Sequence, residues 1–112
     1  MAMPQPMLVS TASDLAGYRV VRHIGVVRGI TVRSRSVVGN FIGAIASFFG
    51  GRIGVYVTLA ENARAEAYDH MVEHARDMGA NAIIGMRYDA TEIMAGITEV
   101  LAYGTAVVVE RA

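Results

Sequence analysis

The stretch Tyr18-Arg19-Val20-Val21-Arg22-His23-Ile24-Gly25-Val26-Val27-Arg28-Gly29-Ile30-Thr31-Val32-Arg33 decides the fold. It is rich in Val, Ile and Thr. Tyr18, Val20, Ile24, Val26, Ile30 and Val32 share one parity, with Arg22 and Arg28 interrupting them, which is the two-residue period of a β-strand. At about 3.3 Å per residue, a straight run of this length would outgrow a small domain. A bend, bulge or turn is therefore expected at Gly25 or Gly29, dividing the strand into two pieces.

Working outward, Ser36 to Gly50 changes period. Val38, Phe41, Ile42, Ile45, Phe48 and Phe49 form one broad helical stripe, and Gly39, Gly43, Ala44 and Ala46 leave little that suits water. The expectation is a helix covered on nearly all sides and ended by Gly50-Gly51. Thr58-Leu59-Ala60-Glu61 has the form of a capping box, so a second helix is expected to run to Met78 and stop at Gly79, with a start as early as Gly54 as the alternative. Its Ala60, Ala63, Ala67, Met71 and Met78 make one apolar face, and Tyr68, Val72 and Ala75 a second, which suggests two packing partners. Ala80 to Asp89 and Glu99 to Arg111 read as strands, with Thr91 to Gly96 between them as a hairpin connection. The fold class expected is α+β: a small antiparallel sheet of three to four strands with two helices, in the order strand or strands, helix, helix, β-hairpin. Residues 1–9 read as a flexible tail and residues 10–112 as a single domain.

Composition narrows the function classes. The chain has 112 residues, no cysteine and balanced charge, ten basic against ten acidic residues, and every basic residue is arginine. Without thiols there is no disulfide framework, thiolate zinc site, iron–sulfur cluster or cysteine nucleophile. A net charge of zero removes the long-range field that draws proteins onto nucleic acid, and no aromatic residues interleave the arginines of the first half, so no nucleic-acid partner is expected. Those arginines suit bidentate pairs with the acids of the second helix, Glu61, Glu66 and Asp69 among them. The chain is 54% hydrophobic and 18% charged, against about 25% charged for a typical soluble domain. No window reaches the ~20 apolar residues of a membrane span, so oligomerisation is the simpler account of the excess. The first residues lack a basic start and an apolar run, which makes the cytoplasm the expected location.

Several motifs together resemble one family. These are Leu15-Ala16-Gly17-Tyr18, Gly25-Val26-Val27-Arg28-Gly29, Gly50-Gly51-Arg52 with Gly54 and Tyr56, Ala75-Arg76-Asp77-Met78-Gly79-Ala80-Asn81-Ala82-Ile83-Ile84-Gly85, and Tyr103-Gly104-Thr105-Ala106-Val107. In that order they are similar to the YbjQ-like family of small prokaryotic proteins, over nearly the whole chain from about Ser10 onward. The resemblance implies a dodecin-like α+β subunit, assembly with itself as a pentameric ring, and an uncharacterised function under a heavy-metal-binding label. Soft heavy metals favour thiolates, which this sequence does not contain.

Candidate sites are few. His70-Met71-Val72-Glu73-His74 places two histidines at i and i+4 on one helix face, where they can share a divalent metal ion, and it matches the H-x-x-E-H pattern of one class of zinc peptidase with Glu73 as general base. The candidate metal residues are therefore His70, Glu73 and His74, and a metal-dependent hydrolase is the enzymatic alternative. A solvated polar helix edge is the favoured reading of the same five residues. His23 could complete such a site. No phosphate loop and no serine elbow is present, no catalytic residue is assigned, and an enzyme is not expected. Met71, Met78, Met86 and Met94 fit core filler better than thioether ligands. Candidate interface residues are Phe41, Ile42, Ile45, Phe48, Phe49, Tyr68 and Val72. A further alternative is a peripheral membrane protein that inserts Phe41 to Phe49.

Overall fold

The computed structural model describes residues 5–34 and 52–112. The elements are β1 (Leu8–Val9), β2 (Tyr18–Ser34), α1 (Arg52–Asp77), β3 (Ala82–Met94) and β4 (Ile97–Arg111). They form a four-stranded sheet in the order β1-β3-β4-β2 with α1 against it. The helix expected over Ser36 to Gly50 lies outside the described residues, as do the candidate interface residues Phe41, Ile42, Ile45, Phe48 and Phe49.

The sheet is mixed rather than purely antiparallel, because β1 runs parallel to β3, Leu8 beside Ala82 and Val9 beside Ile83. Two residues are too short for periodicity to register. The pairing is extended by backbone bonds: Ser10 donates to the Ile83 carbonyl at 3.0 Å, Met86 to Ser10 at 3.0 Å and Gly85 to Ala12 at 2.8 Å. The segment beyond β1 thus lies along the β3 edge and covers part of it.

β2 is one continuous strand of 17 residues, not two pieces. Its excess length is absorbed by register shifts against β4 between Val20 and Arg22 and between His23 and Gly25. A bulge bends and twists a strand without ending it. Gly29, the other expected break, serves a different purpose: a Cβ there would run into the Ala67 carbonyl and the Met71 amide, and would lie 2.8 Å from the His70 Cβ. The helix backbone rests directly on this glycine.

α1 begins at Arg52, so the Thr58-x-x-Glu61 box sits inside the helix and does not start it. Its end follows the sequence closely. Gly79 has φ 88°; its amide donates to Arg76 and that of Ala80 to Ala75, both at 3.0 Å. These two bonds make a Schellman closure, in which a left-handed residue satisfies carbonyls the helix cannot. Ala63, Ala67, Met71 and Ala75 form the buried stripe, four residues apart. Tyr68 and Val72, expected on a separate face, pack half-buried against the same core.

β3 and β4 run further than expected, and only Ala95-Gly96 separates them. Thr91 to Met94 is strand. Asn81 prolongs the ladder beyond β3: its side-chain amide donates to the Val109 carbonyl at 2.9 Å and its side-chain oxygen accepts from the Val109 amide at 2.8 Å. One side chain here copies both bonds of a peptide unit.

The main core joins Val27, Ala67, Met71, Ala75, Ala80, Ile83, Met86, Ala102 and Ala106 between helix and sheet. On the opposite face a smaller cluster of Ala82, Ile84, Val107 and Val109 is covered by Leu8, Leu15, Tyr18 and Val20. Met71 and Met86 are core filler as expected, whereas Met78 and Met94 are exposed. The radius of gyration is 17.2 Å, against about 13 Å for a compact domain of this length. At the far end of the hairpin every residue from Arg87 to Ala95 is exposed.

Candidate functional site

α1 packs most closely on β2, less on β4 and least on β3. That placement follows from the small residues beneath it, Gly29 above all, and it brings the histidines of α1 to the edge of β2 that pairs with no other strand among the described residues. The His74 Nδ1 accepts from the Arg28 amide at 3.3 Å. The His70 Nδ1 lies 3.3 Å from the Ile30 carbonyl, which can only accept. Residues two apart present their backbone groups to the same strand edge, so the two rings together satisfy one donor and one acceptor that β4 does not reach. An edge strand with open polar groups invites pairing with another chain, and these histidines block part of it.

The same bonds fix the rings. A nitrogen that accepts a hydrogen bond carries no proton, so the His74 Nδ1 is bare in this arrangement, whereas His70 has to donate from Nδ1, leaving its Nε2 as the nitrogen that would ligate when the ring is neutral. His70 is thus oriented as metal-ligating histidines often are, with the second nitrogen bound to a carbonyl. His74 has no lone pair left unless it releases Arg28. Glu73 lies exposed between them. Among the described residues no three His, Asp or Glu side chains come together in a way that could hold a metal ion, and His23, exposed beside Val107, does not join the pair. With no cysteine in the chain, this donor set does not fit a soft heavy metal.

Next to the histidines is a polar network. Arg33 pairs with Glu66 through its Nη2 and donates from Nη1 to the Thr31 hydroxyl at 2.8 Å. That hydroxyl donates in turn to Glu66 at 3.1 Å. The hydrogen bond from Arg33, then that from Thr31, hold the Glu66 carboxyl below its usual range. This is the pair between the basic first half and the acidic helix that the charge distribution suggested. Arg19 instead pairs with Glu110 across β2 and β4. Glu61 and Asp69 make no ion pair among the described residues.

Those two acids line a second feature that the sequence did not disclose. Between α1 and β3, Glu61, Arg64, Ala65, Tyr68, Asp69 and Tyr88 line an open groove of about 360 Å³. The Arg64 guanidinium lies over the Tyr88 ring, 5.5 Å from its centroid. Burial, then the nearby Tyr68, raises the Tyr88 hydroxyl above its ordinary value; Glu61 and Asp69 push in the same direction and Arg64 opposes them. The helical spacing of 61, 64, 65, 68 and 69 marks one face, but nothing in the sequence shows that Tyr88 stands opposite.

No described helix is long and apolar enough to cross a membrane. Phe41 to Phe49 lies outside the described residues.

Comparison with known proteins agrees with this architecture. Residues 7–110 match the YbjQ family model, described as "Putative heavy-metal-binding". A UPF0145 protein of Burkholderia thailandensis is 60% identical over 98% of this chain and 99% of its own length. Another, from Chromobacterium violaceum, is 62% identical over 92% of this chain and 88% of its own length. A crystal structure of a protein of unknown function of the DUF74 family, from Pediococcus pentosaceus, superposes with a TM-score of 0.60 at 17% identity, covering 93% of this chain and 98% of that one. At that identity the likeness concerns the fold. With a family model matched from Met7 to Glu110 and relatives at 60% identity over almost their full length, the chain belongs to the YbjQ-like family of UPF0145 proteins.

Proposed function

We propose that the protein works as a homo-oligomeric binding or structural subunit, without catalytic chemistry of its own, and that it assembles with itself as the pentameric ring its family resemblance implies. One observation supports this reading above the rest: among the described residues, the outer half of the sheet face turned away from α1 exposes several large apolar side chains, interrupted by Arg28. Val26 is 71% exposed and Val32 50%, and Ile30 and Tyr103 are exposed beside them. In register they form adjoining rows, Ile30 beside Leu101 and Arg28 beside Tyr103. Contiguous apolar patches of this kind mark interaction surfaces. Zero net charge sets up no repulsion between copies. Light scattering at micromolar concentration is expected to give a multiple of the 12.0 kDa chain mass; a well-folded monomer would overturn the proposal.

The family description favours a second reading, a divalent ion between His70 and His74 with Glu73 alongside. The i, i+4 spacing and the orientation of His70 support it, and it requires His74 to give up the Arg28 amide. If zinc binds the parent no more tightly than His74→Ala, this reading fails.

A further inference from the structure

We propose that the groove between α1 and β3 is a binding site for a small guanidinium-bearing molecule. The chemistry is set out along one helix face. Ala65 forms the floor, and Glu61 and Asp69 stand one turn to either side of it, at i−4 and i+4. Tyr68 and Tyr88 make the walls, one from the helix and one from the sheet. The volume of about 360 Å³ lies at the lower end of the range for small-ligand pockets.

The groove already shows what it accepts. Arg64 lays its own guanidinium over the Tyr88 ring, the stacked geometry in which a cation meets the negative face of an aromatic ring. That single cation faces two carboxylates, neither of which has an ion pair among the described residues. Among the described lining residues the excess is one negative charge. Burial and Tyr68 are the main reasons the Tyr88 hydroxyl is raised, and Glu61 and Asp69 add smaller contributions in the same direction. A second planar cation seated over Ala65 would lie one turn from each of Glu61 and Asp69, about 12 Å apart along the helix, and could pair with either carboxylate while lying against the tyrosine rings. An anion would meet both acids, and a purely apolar ligand would leave them desolvated without a partner.

The site is independent of the histidine pair and does not depend on the protein being an oligomer. Its test is a titration of the full chain with L-arginine amide, followed by amide chemical shifts. L-citrulline amide, which keeps the α-ammonium and loses only the guanidinium charge, serves as control. Shifts confined to residues 61–69 and around Tyr88, with arginine amide binding at least about fivefold tighter than citrulline amide, are expected. Asp69→Asn should weaken the arginine complex roughly threefold to tenfold. Ala65→Leu, at an exposed position, should fill the floor and abolish binding while leaving the remaining spectrum unchanged. Arg64→Ala should tighten binding, because it removes the internal competitor and leaves the Tyr88 face open. Equal binding of the two amides, shifts scattered over the acidic surface, no saturation at millimolar concentration, or weaker binding to Arg64→Ala would each overturn the proposal.

Discussion

The two faces of β2 and β4 are built from alternate residues of the same strands, yet they differ in almost every respect. Toward the helix stand Val27, Gly29, Thr31, Ala102, Gly104 and Ala106, all buried. A Cβ at Gly29 would collide with helix backbone, and one at Gly104 would lie 2.6 Å from the Ile83 side chain. On the other side stand Val26, Arg28, Ile30, Val32, Leu101 and Tyr103, larger and largely in solvent. A chain whose large apolar residues served only its own core would have placed them the other way round. The inner face is small because close approach of α1 requires it, and the outer face carries the larger side chains that the proposed assembly would cover.

Neighbouring substitutions can break this contrast. Gly29→Val should have the largest effect, unfolding the domain or lowering its stability by about 3 kcal/mol or more in urea titration, since helix backbone cannot move aside locally. Met71→Ala, at a fully buried position, should cost about 2–5 kcal/mol through the cavity it leaves. Thr31→Val keeps the shape and removes the hydroxyl shared by Arg33 and Glu66, for a loss of about 1 kcal/mol. Glu66→Gln should have a smaller effect with a distinctive pH dependence. The folded carboxyl is held low, so its contribution is complete above the unfolded value of about 4.3 and is lost as pH falls through the lower folded value. The gap in melting temperature between parent and variant should therefore be present at pH 7 and close in acid. Smallest of all, Val32→Thr on the outer face should leave the stability of the individual domain within about 0.5 kcal/mol.

Much of the inner face was legible in the sequence. The strand character of Tyr18 to Arg33, the four-residue spacing of Ala63, Ala67, Met71 and Ala75, and the stop at Gly79 each express a local backbone preference that tertiary structure retains, but the parity the sequence marked in the strand, Val26, Ile30 and Val32, is the exposed outer face and not the inner one. The misreadings have physical reasons. Thr58-x-x-Glu61 satisfies the chemistry of a helix start, but helical residues precede it, so the pattern lies mid-helix. Gly29 looked like a strand break because glycine lacks a side chain, and that same lack is what admits the helix. β1 is invisible because two residues carry no period. The helix histidines could be placed on one face but not against Arg28 and Ile30, some forty residues away in sequence, and the groove needs Tyr88 brought opposite Tyr68 by the sheet. Such juxtapositions belong to the fold and not to any local stretch.

The contrast between the faces is tested most directly by native mass spectrometry of the parent beside Val26→Glu/Ile30→Glu, which charges the outer face and leaves the inner one untouched. The account predicts a homo-oligomer for the parent and a folded monomer with unchanged circular dichroism for the variant. A variant that assembles as the parent does, or a parent that is itself monomeric, would contradict it.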